Sequence, residues 1–220
     1  MNNSVIQLLV LAGIAVFLIL RLRNVLGTRE GFEKPPAQDQ TTAQRSNTVP
    51  FEVIEGGPDL DITDHVAENS ASAKALAEMK RLEPSFGVSD FLGGAKGAYE
   101  MIVMGYERGD LAEIQPFLSE EIYESFVDGV AAREDQGLTI EANFIGVRET
   151  ELISATLNEQ TKEAEITIRF VGELTSAVHN SEGELVEGST TEVKRQKDTW
   201  VFARIMGSDD PNWLLVSTDG

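Results

Sequence analysis

The chain is 220 residues long, with 37 acidic and 18 basic side chains, a formal charge of −19 at pH 7, and no cysteine. A body this acidic excludes nucleic-acid binding, which needs a basic surface to displace phosphate counterions. The absence of cysteine excludes disulfides, thiolate catalysis and cysteine-held metals, and is compatible with a reducing compartment.

The first element is an apolar run. Val5, Ile6, Leu8, Leu9, Val10, Leu11, Ile14, Val16, Phe17, Leu18, Ile19 and Leu20 are broken by a single polar side chain, Gln7. Counted over residues 4–22, the run matches the ~20 residues a helix needs to cross a bilayer. Met1-Asn2-Asn3 carries no basic side chain and no A-x-A site follows, so the pattern is that of an anchor and not of a cleaved leader. Arg21, Arg23, Arg29 and Lys34 all lie on its C-terminal side. By the positive-inside rule this predicts a single-pass protein of the inner (plasma) membrane, N-terminus outside and C-terminal domain cytoplasmic, or in the equivalent compartment of an organelle. The same four cations are placed for topology and for contact with anionic head groups, diluted by Glu30 and Glu33. Residues 1–34 carry +2 and leave −21 on residues 35–220, so the body is expected to stand away from anionic lipid.

Residues 23–64 read as a flexible tether. They hold Pro35, Pro36, Pro50, Pro58 and Gly56-Gly57, with Val49–Ile54 as a candidate docking strand. An accessory helix is predicted over 65–83, with Ala71, Ala75, Met79 and Leu82 on one face. The pattern leaves open whether it docks on the domain or is a marginal helix of the linker. A second helix, capped by Ser89 or Asp90, follows through Phe91, Ala95, Ala98, Ile102 and Tyr106 and stops at Gly109-Asp110. Gly93, Gly94 and Gly97 inside it imply close approach of another backbone; they lack the spacing of a phosphate loop. Ser119 caps a third helix with Glu120 and Glu121 in its first turn, a buried face of Ile122, Tyr123, Phe126, Val127 and Val130, and Gly137 as stop.

Beyond Gly137 the period changes to two. Thr139–Arg148, Glu151–Asn158, Ala164–Leu174, Gly188–Arg195, Trp200–Ile205 and Trp213–Ser217 read as strands, with turns at Asn158–Lys162 and Asn180–Glu184 and a tight connection at Lys197-Asp198. Helices followed by an antiparallel meander give an α+β architecture, a curved sheet wrapped over helices.

The chemistry-bearing residues are sparse. His65 falls in or beside the tether and His179 near a turn, while Tyr99, Tyr106 and Tyr123 fit a core with a wet hydroxyl. No nucleophile stands near a base and no metal-ligand cluster appears, so the expected catalytic set, metal set and cofactor set are all none. The candidate partner or cavity surface consists of Trp200, Phe202 and Trp213, with Arg148 and Arg169 on strands. The Asp209-Asp210-Pro211-Asn212 turn is placed to hold Trp213.

The block PSFGVSDFLGGAKGAYEMIVMGYERGDLAEIQPFLSEEIYESF (Pro84–Phe126), the AARE stretch (Ala131–Glu134) and the ending TWVFARIMGSDDPNWLLVSTDG (Thr199–Gly220) resemble the Tim44-like domain over roughly residues 80–220. The domain itself is placed at 84–220. The anchor and Pro-rich spacer are similar to bacterial Tim44-like, TimA-type adaptors. The resemblance implies an NTF2-like cone and a non-enzymatic adaptor for membrane proteins, translocase components, chaperones or translocating polypeptides. The chaperone-binding region of the mitochondrial relative has no counterpart in the short tether. A membrane-seeking face on His65–Leu82 is diluted because Glu68, Glu78 and Glu83 accompany Lys74, Lys80 and Arg81. Two other classes stay open: a lipid or small-ligand binder using the cone, and an NTF2-like isomerase or dehydratase.

Overall fold

Short polar caps open most of the helices, and the computed structural model of the chain shows where each one leads. It describes residues 57–219. The expected span at 4–22, its cations Arg21, Arg23, Arg29 and Lys34, and the candidate docking strand lie outside them. Among the described residues no helix is long and apolar enough to cross a membrane.

Helix α1 (Leu60–Thr63) is capped by Asp59, whose carboxylate accepts from the Asp61 N–H. Its Ile62 is buried in the core. Among the described residues the packed domain thus includes α1, which lies inside the segment read as tether; Ile62 and the pairs of Lys80 with Asp59 and Asp61 seat it. Helix α2 (Ala71–Leu82) is capped by Ser70, at 3.0 Å from the Ala73 N–H. Ala73, Leu76 and Met79 are its buried stripe, so the predicted face is rotated: Ala71 is exposed. This helix docks on the domain, and Ser72 Oγ accepts from the Ala155 N–H of the sheet at 3.1 Å.

Helix α3 (Val88–Arg108) is the central helix. Val88, Phe91, Ala95, Tyr99 and Ile102 form its core face. Ser89 and Asp90 do not cap it; Gly87 occupies the cap position and offers no side chain. The cap comes instead from α1. Asp61 accepts from the N–H groups of Val88 (2.8 Å) and Ser89 (2.9 Å), and Lys80 of α2 bonds the same carboxylate at 3.0 Å. Gly109, at φ +74°, ends α3 in the left-handed conformation that glycine takes without strain. Helix α4 (Leu111–Ile114), a 3-10 turn (Gln115–Phe117) and helix α5 (Glu120–Asp135) follow. Ser119 caps α5, accepting from the Ile122 N–H at 3.3 Å. No α5 residue is fully buried: Ile122, Tyr123, Phe126 and Val130 are half-buried and Val127 is exposed, so Val127 leaves the predicted buried face.

Strands β1 (Thr139–Leu157), β2 (Glu163–His179), β3 (Leu185–Ile205) and β4 (Leu214–Asp219) form one antiparallel sheet in that order. The two predicted segments of β1 are one strand, bent by register shifts at Phe144/Gly146, Val147/Glu149 and Leu152/Ser154. Bulges of this kind raise local twist and let a long strand curve. Strand β3 is also continuous. Lys197 and Asp198 pair with Val171 and Phe170, and no turn interrupts them. The inner face of the sheet buries Ile166, Ile168, Phe170, Trp200 and Phe202 against α2 and α3, each side chain contributing about 1.5–3 kcal/mol by leaving water. The outer face carries ion pairs, so the core lies between one face of the sheet and the helices.

Candidate functional site

Of the hollows that border α3, two are lined by several aromatic rings, one near each end of the helix. The first is about 320 Å³ and opens between the N-terminal half of α3 and the loop leading into β4. Trp213 stands in it, half-buried, 4.6 Å between ring centres from Phe91 and 5.9 Å from Phe86. Phe202 and Phe117 complete an aromatic wall, and Gly94 and Ala98 keep the helix side shallow. The loop holding Trp213 is fixed locally, since Asp210 Oδ1 accepts from the Asn212 N–H at 2.9 Å and its carbonyl accepts from Arg204 Nε at 3.0 Å. Arg204 also makes a bidentate pair with Glu83, at 3.1 and 2.9 Å, and Glu83 accepts from the Gly207 N–H. The Arg204 side chain is only 8% exposed, so this pair works at low dielectric and ties the end of α2 to the rim.

Gly93, Gly94 and Gly97 do not mark a close approach within the described residues: a Cβ at each would meet nothing within 4 Å. Of the three, Gly94 lines the groove and Gly97 lines another hollow farther along α3. Such glycines cost roughly 1 kcal/mol each relative to alanine in a helix.

The second hollow is about 290 Å³ and lies between the C-terminal half of α3, α5 and the β3–β4 edge. Its floor is the buried Asp198, which accepts from the Tyr99 hydroxyl and, at 3.0 Å, from the Gln196 amide. Burial first, then the hydrogen bond and charge of Asp198, push the Tyr99 hydroxyl far above its ordinary value, so it stays protonated and donates. Gly172 makes room for the Tyr99 ring; a Cβ there would stand 2.7 Å from the hydroxyl oxygen. Tyr99 is thus fully buried and its hydroxyl dry, unlike the expected wet one. The pair is hidden in the sequence because Lys197-Asp198 reads as a tight connection between two strands. The available signal was period two: Asp198, Trp200 and Phe202 sit on one face of one strand.

Of the candidate surface residues, Phe202 and Trp213 meet in the first hollow, while the buried Trp200 lines the second. Arg148 and Arg169 line neither. Both are exposed on the outer sheet face, Arg148 with Glu173 and Arg169 with Glu151. They belong to a solvated ion-pair lattice and not to a cavity wall. Among the described residues no group of three His, Cys, Asp or Glu is placed to hold a metal.

The chain is similar to the Arabidopsis thaliana mitochondrial import inner membrane translocase subunit TIM44-1, with 20% identity over 162 residues. That match covers 70% of this chain and 34% of the relative, so the chain spans about a third of that protein's length. Among solved structures it is similar to the intermembrane space region of the chloroplast protein ARC6, at 12% identity and a TM-score of 0.34 over 50% of this chain and 75% of the other. A family model, the Tim44-like domain, matches residues 72–220, from the start of α2 to the end of the sheet. The chain therefore belongs to the Tim44-like domain family.

Proposed function

We propose that the chain is a membrane-tethered, non-enzymatic adaptor whose Trp213 groove holds translocase components, other membrane proteins or translocating polypeptides at the cytoplasmic face of the inner membrane. The observation that carries this reading is the groove: a half-buried tryptophan on a pinned loop, backed by four phenylalanines and facing Gly94 and Ala98 of α3. Tryptophan in such a setting is over-represented among residues that dominate binding energy. Family membership and the translocase relative support a role in protein transport. In the same reading the sheet and helices form an NTF2-like cone, residues 4–22 are the single span, residues 23 to about 58 are the tether, and Arg21, Arg23, Arg29 and Lys34 fix its orientation.

The test is purification of the full-length chain from native membranes in mild detergent, beside a chain lacking residues 1–24. A defined set of membrane or translocating proteins, reduced by the deletion and by Trp213→Ala, is the expected result. Recovery of the same proteins with Trp213→Ala as with wild type would overturn the assignment of the groove.

A further inference from the structure

The acids of this domain differ in how their charge is met. Glu83, Glu173 and Asp61 are each partly buried, and each has a cation against it: Arg204 for Glu83, Arg148 and Arg195 for Glu173, Lys80 for Asp61. Asp198 is more buried than any of them, 7% exposed, yet among the described residues it forms no ion pair. Its two partners, the Tyr99 hydroxyl and the Gln196 amide, are both neutral. A carboxylate offers about four acceptor positions, so capacity remains on it. A buried charge without a counter-charge is costly, and proteins usually pair it.

What Asp198 does face is the second hollow. Its walls include the rings of Tyr106, Phe126 and Trp200 and two further carboxylates, Glu107 and Asp219, and among the described residues no lysine, arginine or histidine lines it. Aromatic rings and carboxylates around a small space form a combination suited to an organic cation. The Tyr106 ring already takes one: the Arg133 guanidinium carbon lies 4.5 Å from its centre, outside the cavity lining, with its N–H donated to the Tyr106 carbonyl and not to the acids. The volume suits one head group and not a large ligand.

We infer that the hollow over Asp198 is a binding site for a single organic cation, a guanidinium or alkylammonium group, with Asp198 as counter-charge and Tyr106, Phe126 and Trp200 as its cage. The inference goes beyond the adaptor reading and does not depend on the Trp213 groove. The cation has two sources, a free amine or the side chain of a bound polypeptide, and the chemistry is the same for both.

The experiment is calorimetric titration of the full-length chain in non-ionic detergent with n-butylguanidinium, and with n-butanol as the uncharged counterpart. Saturable binding of n-butylguanidinium alone is expected, weakened at least ~10-fold by Asp198→Asn, the scale on which loss of a buried charge partner is felt. The double variant Glu107→Gln, Asp219→Asn leaves the Tyr99–Asp198 bond intact and is expected to weaken binding about threefold, which provides a test if Asp198→Asn fails to fold. Capped Gly-Arg-Gly binding as tightly as n-butylguanidinium assigns the site to a polypeptide side chain. Binding of the free cation only assigns it to a small amine, and either result supports the site. No saturable binding to the folded wild type, equal binding of n-butanol, or no change in the double variant and in any folded Asp198→Asn would overturn it.

Discussion

The two ends of α3 border hollows of similar size that treat their acids in opposite ways. At the N-terminal end the carboxylate of Glu83 is clamped by Arg204, and the aromatic groove beside it carries one further acid, the exposed Asp90 at its rim. At the C-terminal end the carboxylate of Asp198 has only neutral donors, and three aromatic rings and two more acids surround the space above it. An acid that the fold itself neutralises belongs to the scaffold. One that the fold leaves unmatched is available to something else. The first hollow is thus suited to apolar segments and the second to a cation.

The sharpest way to break this contrast is to unpair the scaffold end. Arg204→Met leaves Glu83 without its guanidinium, and urea unfolding is expected to show a loss of about 3 kcal/mol. Replacing Glu83 and Arg204 together by apolar residues is expected to recover most of it, which would identify the lost charge partner and not the packing as the cause. At the other end, Gly172→Ala drives a methyl into the Tyr99 ring. A loss of about 2 kcal/mol is expected, with changed near-ultraviolet dichroism from the Tyr99, Phe170 and Trp200 cluster.

Trp213→Ala sharpens the contrast in function. Recovery of partners is expected to fall about tenfold, a difference of about 1.4 kcal/mol, with a smaller loss of stability because the ring is only half-buried. Equal losses of both would return Trp213 to the core.

The smallest effect concerns the remote cap. Partial burial raises the Asp61 carboxyl, but its bonds to the Ser89 hydroxyl and to the Ser89 and Val88 N–H groups, together with Lys80, outweigh this and hold it well below the usual carboxylate range. Its folded-state value is depressed, so its contribution is full above the ordinary carboxylate value and lost as pH falls below it. Asp61→Ala is expected to cost about 1 kcal/mol at neutral pH. Thermal melts should show wild type and variant converging as pH drops from 5 toward 2. A constant gap over that range would mean that the carboxylate charge is not what caps α3.

The same elements show what the sequence makes legible. Asn158 and Asn180 were readable as turns because each uses its own side chain to bond backbone a few residues on. The Ser119 cap was readable for the same reason. The α3 cap was not, because its acceptor, Asp61, lies 27 residues upstream of Val88 and is brought there by tertiary contacts, the burial of Ile62 and the pair with Lys80. Strand lengths were underestimated at Lys197-Asp198, where two charges imitate a turn while one of them is buried inward on a continuous strand. The aromatic groove was half legible. Phe202 and Trp213 were singled out, but Phe86 and Phe91 joined them only through tertiary packing.

The most direct test of the groove places a photo-crosslinking amino acid at position 213 of the full-length chain in native membranes, and at Ile153, exposed on the outer sheet face, as control. Adducts with a defined set of membrane or translocating proteins from position 213, absent from position 153, are the predicted result. The same adducts from both positions, or none from 213, would contradict it.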